Sequence, residues 1–414
     1  MKFWHVVAAI AAVAVVGAGI FLFLDKENTL AIAILTATST PTPLPTPTPK
    51  LEPVDIEPQQ PLANPPAIIK AIYATAYSAG NEKKLSYLIN LIKTTELNAL
   101  VVDVKDYSGY VLYNTNLPLP KKYNAVERRI PKLNKLIKRL HDEGIYVIGR
   151  VSVFQDPRLA TARPDLALYS SSTGQTWQDN KGLLWMDTAA PEVWDYNIAI
   201  AKEISERGMD EVNLDYIRFA SDGQLSDIKY PFWDEQTLKT KVLRDFFKHL
   251  REELPNVKLS ADLFGLVTIN KDGLGIGQHL EYALPYFDAV APMVYPSHYF
   301  KGFIGFENPG AHPYEVVKYS LDVAAQRIKD YEKNLAVQLG TTTPAEDPRW
   351  HVAKLRPWFQ DFDLGADYDA AKVKAQIQAQ YDTGTTSAST DLFDGWMIWN
   401  ASNVYTREAL QTTD

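Results

Sequence analysis

Eight short apolar segments alternating with amphipathic helical patterns predict an α/β protein, a (β/α)8 TIM-type barrel. Two further observations support that class. Several of the apolar segments end on charged or aromatic residues, as strands do at the mouth of an enzyme barrel. No glycine-rich phosphate loop follows the first segment, which counts against the alternative, an open doubly wound sheet binding a dinucleotide.

The strands are expected near 70–77, 99–105, 145–153, 211–217, 258–264, 288–295, 355–361 and 395–400. The seventh has a competitor, Leu335-Ala-Val-Gln-Leu339. Between strands, Leu85, Leu88, Ile89 and Ile92 recur at i, i+3, i+4 and i+7, and Leu133, Leu136, Ile137 and Leu140 repeat the pattern. Gly144 is placed to stop that second helix. Pro191 suits a helical first turn, and its helix should end near Gly208. Val242, Phe246 and Leu250 mark a further helical face, and Val316, Tyr319 and Val323 another.

The chain has 414 residues, 46% hydrophobic and 22% charged, enough for a large core. Its net charge of −8 argues against a nucleic-acid partner. With no cysteine, disulfides, thiolate metal sites and cysteine nucleophiles are excluded. The histidines have no paired metal-ligand spacing, so neither metal nor other cofactor is expected.

Residues 1–28 read as a signal anchor. Lys2 and His5 precede the uncharged run Val6 to Leu24, which is at the length of a membrane-spanning helix. Lys2 on the short side puts the remainder outside the cytoplasm. Ala31-Ile-Ala33 offers a cleavage site, which would make the protein secreted instead. Residues 29–66 read as a linker, with the Pro/Thr run 40–49 favouring extended geometry. At ~3.1 Å per residue such a stalk reaches on the order of 90 Å. Residues 67–414 form the barrel domain.

Strand alternation sorts the side chains. Val102 and Val104 face the helices, so Asp103 and Lys105 point inward. Arg150 and Ser152 share a face, as do Asn213 and Asp215, Ser260, Asp262 and Phe264, and Met293 and Tyr295, with His298 following. Arg356, Trp358 and Gln360 share one, and Trp399 ends the last strand. Asp215 and Asp262 on neighbouring strands form the sharpest pair. Glycosidic hydrolysis needs one carboxylic acid to protonate the leaving oxygen and a second carboxylate to attack, stabilise or activate water. Lys105, Arg150 and Arg218 would keep one acid ionised while another stays protonated. Flat aromatic faces such as Trp177, Trp185, Trp358 and Trp399 can stack on sugar rings. The bland reading of the same residues is a set of charge pairs and core aromatics that only stabilise the barrel.

Ala99-Leu-Val-Val-Asp-Val-Lys-Asp106, Gly144 to Arg150, Leu184-Trp-Met-Asp187, Val212 to Phe219, Leu259 to Gly265, Ala291 to Ser297, Arg356 to Asp361 and Trp399-Asn-Ala401 occur in order. In these blocks the chain resembles the barrel family known as domain of unknown function 4015, distantly similar to the α-amylase-like glycosidases. The resemblance implies a glycoside hydrolase acting on a polysaccharide or glycan, with Asp215 as nucleophile or stabiliser and Asp262 as acid/base. Related enzymes usually carry Glu at the latter position, so Asp262 is a departure with shorter reach. Asp103, Lys105, Arg150, Asp187, Arg218, Tyr295, His298, Trp358, Gln360 and Trp399 would shape the substrate site. The segment Ala336 to Lys354 resembles an insertion lengthening one cleft wall. Glycan binding without cleavage, and glycosyl transfer, are the rival functions.

Overall fold

The computed structural model describes residues 54–341, 347, 349–383 and 392–413. Eight parallel strands close into a barrel: β1 (Ile69–Ala74), β2 (Ala99–Lys105), β3 (Tyr146–Ser152), β4 (Glu211–Asp215), β5 (Leu259–Phe264), β6 (Ala289–Met293), β7 (Trp358–Gln360) and β8 (Gly395–Trp399). Each pairs with its neighbours in order, and β1 pairs with both β2 and β8, so no sheet edge remains in the ring.

The period of two is visible in the packing. Ile69, Ala71, Tyr73, Ala99, Val101, Tyr146, Ile148, Ala291, Trp358 and Met397 form one cluster inside the ring. Ile72, Leu100, Val102, Val147, Val212, Leu214, Ala261, Leu263, Val290, Phe359 and Ile398 belong to a second cluster shared with the covering helices. Those helices are α1 (Glu82–Lys93), α2 (Leu133–Asp142), α3 (Pro191–Glu206), α4 (Lys239–Glu253), the single turn α5 (Leu280–Ala283), α6 (Pro313–Leu339) and α7 (Ala370–Tyr381). Asn81 caps α1 by accepting the Lys84 N–H, and Asp369 caps α7 by accepting that of Lys372. Gly144, at φ +73°, takes the left-handed conformation just past α2.

Below the mouth the interior is sealed by charge. Arg356 donates to both oxygens of Glu211 (2.7 and 2.9 Å) and pairs with Asp394, while Ser260 Oγ donates to Glu211 at 2.6 Å. Every charge in this lower layer has a partner.

Several expectations need correction. Leu335–Leu339 is the end of α6, so the seventh strand is the Trp358 segment. It is split from the two-residue pairing Lys354–Leu355 by Pro357, which has no N–H to give a ladder. The strand expected over 211–217 stops at Asp215. Helix α6 buries Val316, Val317, Leu321 and Ala324, whereas Tyr319 is 44% exposed, so the apolar face is rotated from the predicted one. The described part of 336–354 packs at the strand entrances: Ala353 donates to the Leu284 carbonyl and His351 lies 2.7 Å from that of Phe287. It therefore lengthens no wall of the mouth. Residues 54–66, expected in the linker, lie on the barrel. Asp55 accepts the Asn134 N–H at the start of α2, Gln59 donates to the Arg207 carbonyl, and Leu62 donates to Asp210 while packing on the interior cluster. Among the described residues no helix is long and apolar enough to cross a membrane. The expected anchor, Val6 to Leu24, lies outside the described residues.

Candidate active site

Four charged side chains from four consecutive strands meet at the C-terminal end of the ring. Arg150, on β3, sits between Asp103 on β2 and Asp215 on β4. Its Nη1 donates to Asp103 Oδ1 at 2.6 Å and its Nη2 to Asp215 Oδ2. Its Nε lies 3.7 Å from Asp262 Oδ2, on β5, and has no hydrogen-bond partner among the described residues. Trp399 lies against the guanidinium, its ring centroid 5.1 Å away, and stacks on Tyr73 at 3.8 Å. The Tyr73 hydroxyl donates to Asp103 Oδ2 at 2.5 Å.

The carboxyls occupy different environments. Asp215 lines an open pocket and accepts the backbone N–H of Tyr216 at 2.5 Å. Asp262 is only 1% exposed; its Oδ1 accepts from Asn213 Nδ2 (2.9 Å) and Trp358 Nε1 (2.7 Å). Burial, and then the negative charge of Asp215, push Asp262 up to about 8, against the pull of Arg150, Asn213 and Trp358. Because Oδ1 already accepts two N–H groups, the proton of the neutral acid belongs on Oδ2. Burial also raises Asp103, to about 6, with Arg150 and Tyr73 limiting the rise.

The pocket has a volume of 370 Å³, at the small end of the range of about 300–1,000 Å³ for ligand sites. Asp215, Tyr216, Arg218, Phe264, Tyr295 and His298 line it. Tyr216 has φ +52°, a conformation rare for a bulky L-residue and typical of a site that holds strain. That kink takes Tyr216 off the helix-facing side, where strand alternation would put it, and into the pocket wall.

The family described as "Putative glycosyl hydrolase domain", domain of unknown function 4015, matches residues 71–405. The chain belongs to this family. Among solved structures, the chain is similar to a hypothetical protein from Ruminiclostridium thermocellum ATCC 27405, with 38% identity and a TM-score of 0.43, over 46% of this chain and 96% of that one. It is also similar to the glycoside hydrolase domain of PgaB (BpsB) from Bordetella bronchiseptica, with 13% identity and a TM-score of 0.54, over 84% of this chain and 100% of that domain. The second likeness shows the barrel fold. No curated protein matches the chain by sequence. The chain is thus a TIM-type barrel of the domain 4015 family, whose description is "Putative glycosyl hydrolase domain".

Of the residues expected at the site, Asp103, Arg150, Asp215, Asp262 and Trp399 form one connected cluster, with Trp358 fully buried beneath Asp262. Arg218, Tyr295 and His298 line the pocket, His298 on its exposed rim. Three are not brought to it. Lys105 is turned aside by a register irregularity after Asp103; its Nζ pairs with Asp156 at 2.9 Å and donates to the Ser152 carbonyl. Asp187 is fully buried and accepts the N–H groups of Ala189, Phe232 and Trp233, tying two loops together. Gln360 accepts from Ser297 and donates to the Phe362 carbonyl, so it holds the loop that carries His298. Trp177 and Trp185 are buried; the pocket's aromatic wall is Tyr and Phe instead. Tyr73 and Tyr216 were missed. Tyr73 shares the inward face with Ala71 and was legible by alternation, whereas nothing in the sequence signals the kink at Tyr216.

The unfolded chain releases the Asp262 proton near 3.8, but the folded protein holds it to about 8. Between those values only the folded state binds this proton, so stability falls as pH rises, by up to ~1.4 kcal/mol per pH unit. Asp262→Asn keeps the acceptor for Asn213 and Trp358 and removes the titration. Its stability relative to wild type should climb between pH 4 and 8, read from denaturant unfolding; a flat difference would mean Asp262 is already ionised when folded.

Proposed function

We propose that this protein hydrolyses glycosidic bonds of a polysaccharide or glycan, using Asp215 and Asp262 as its two acids. The observation that carries this reading is the unequal pair itself. Asp215 accepts from Arg150 and from the Tyr216 N–H at the edge of the pocket, while burial keeps Asp262 protonated at neutral pH. Glycosidic cleavage needs one carboxylate and one carboxylic acid at the same moment.

A sugar seated between Tyr216, Phe264 and Tyr295 would present its anomeric carbon to Asp215. Asp215 attacks or stabilises the cationic carbon. Asp262 protonates the leaving oxygen from Oδ2, directly or through one water, since it lies beneath the pocket floor. Arg150 orients Asp215 and limits the rise of Asp103, and Trp358 orients Asp262. The low exposure of Asp262 is the one observation that favours glycan binding without cleavage. Reducing-end release from a polysaccharide panel separates the two.

The proposal includes a tether. The uncharged run Val6 to Leu24 supports an anchor that keeps the barrel outside the cytoplasm. Recovery of the full chain in the soluble rather than the membrane fraction would remove that part.

Asp215→Asn should lose reducing-end release altogether while retaining the wild-type unfolding transition; retained turnover removes Asp215 from the mechanism. Asp262→Asn should slow turnover by about 10²–10⁴-fold. The kcat/KM of the wild type should fall as pH rises through about 8, where Asp262 loses its proton. The Trp358 N–H favours the ionised form of Asp262, so Trp358→Phe should move the alkaline limb to higher pH. A limb that stays put would assign it to another group.

A further inference from the structure

Five arginines are buried among the described residues: Arg150, Arg207, Arg218, Arg327 and Arg356. Four of them pair with carboxylates, Arg150 with Asp103 and Asp215, Arg207 with Glu203, Arg327 with Glu281, and Arg356 with Glu211 and Asp394. That is what burial of a charge demands. Arg218 is the exception. It is 7% exposed and forms no ion pair among the described residues. Aromatic rings surround its guanidinium, with centroids at 4.6 Å (Trp185), 4.9 Å (Phe264) and 5.4 Å (Tyr216).

Only one edge of the guanidinium is used. Nη1 donates to the Phe219 carbonyl (3.1 Å) and to Ser221 Oγ (2.9 Å). Nε and Nη2 make no hydrogen bond among the described residues, and neither is a buried orphan, so both keep accessible surface. Arg218 lines the same pocket as Asp215. A planar pair of N–H donors on an apolar wall matches a carboxylate in a bidentate fork. The aromatic lining removes competing water, which strengthens such a contact.

We propose that Arg218 receives a carboxylate carried by the sugar that binds beside Asp215, making the substrate an acidic glycan rather than a neutral one. This rests on the hydrolase reading for its substrate but not for its binding chemistry. A carboxylate brings one negative charge to one guanidinium. A phosphate monoester would bring nearly two and leave the excess facing Asp215. Uronates and carboxyalkyl ethers of sugars share the required group and place it differently on the ring.

Titration calorimetry on the full chain tests this with free sugars, which cannot be cleaved. D-Glucuronate, D-galacturonate and N-acetylmuramate are compared with D-glucose, D-galactose and N-acetylglucosamine. At least one acidic sugar should bind about 10–100-fold more tightly than its neutral counterpart, the range for a hydrogen bond to a charged group. Which one distinguishes a ring carboxylate from an ether carboxylate. Arg218→Gln should erase the preference, and Arg218→Lys, which keeps the charge and loses the fork, should retain part of it. Equal or weaker binding of every acidic sugar overturns the inference, as does a preference that survives Arg218→Gln or no binding at all. The comparison of sugars on wild type stands even where Arg218→Gln does not fold. Hydrolysis of neutral glycans with no acidic preference would sink this inference and keep the hydrolase. An Arg218-dependent preference with no glycan cleaved would do the reverse.

Discussion

One guanidinium organises the mouth of this barrel. Arg150 is buried, yet three carboxyls from three different strands approach it. Three acids packed that closely without a cation would repel one another and stay protonated. With Arg150 present the charge is shared unequally. Asp103 and Asp215 receive its two Nη groups, and Asp262 gets only the distant Nε, which is left without a hydrogen bond. The asymmetry of that contact, together with deeper burial, leaves Asp262 as the acid held neutral. Tyr73 and Trp399 complete the arrangement by fixing Asp103 from below and the guanidinium from the side.

The two ends of the barrel interior treat charge differently. At the strand entrances, Glu211, Arg356, Asp394 and Ser260 satisfy one another, and Leu62 of the N-terminal strap packs on the neighbouring apolar layer. Such a closed network locks the ring and offers nothing to a ligand. At the strand exits, among the described residues, Arg150 Nε lacks a hydrogen-bond partner and Arg218 keeps two donors free. Unpaired buried polarity destabilises a fold by about 1–3 kcal/mol per group, more for charges. At this pocket a buried, unpaired Arg150 Nε and two open Arg218 donors lie close to Asp215, which is physical support for a binding site independent of any likeness to other proteins.

The sequence carried most of this because strand alternation is rigid. Once the eight segments are recognised, a period of two sends Asp103, Arg150, Asp215, Asp262 and Trp358 inward without further information. The errors fall where the backbone abandons that period. The irregularity after Asp103 redirects Lys105 to Asp156. The positive φ of Tyr216 ends β4 two residues early and delivers an aromatic ring to the pocket. Neither position holds glycine, asparagine or another residue that advertises a bulge or a left-handed turn, so tertiary context alone imposes them. Asp187 was misread for a different reason. It lies on a loop, where no periodicity fixes direction, and its carboxylate proves to be a clamp for three backbone N–H groups. Tryptophan content likewise overstated the sugar-stacking surface, because Trp177, Trp185 and Trp358 are buried.

The coupling between Asp215 and Asp262 bears on the order of events in the proposed mechanism. Part of what keeps Asp262 protonated is the negative charge of Asp215. When Asp215 bonds to, or closely pairs with, the sugar's cationic carbon, that charge is spent and its hold on the Asp262 proton weakens. Asp262 thus becomes a stronger acid as the leaving oxygen comes to need a proton. Release of Asp215 at the end of the cycle restores the charge and draws the proton back. An acid buried against a carboxylate times its own transfer through electrostatics, and the shorter reach of Asp relative to Glu is compatible with this because a side chain closer to the barrel wall is more deeply desolvated and more sensitive to its neighbour's charge.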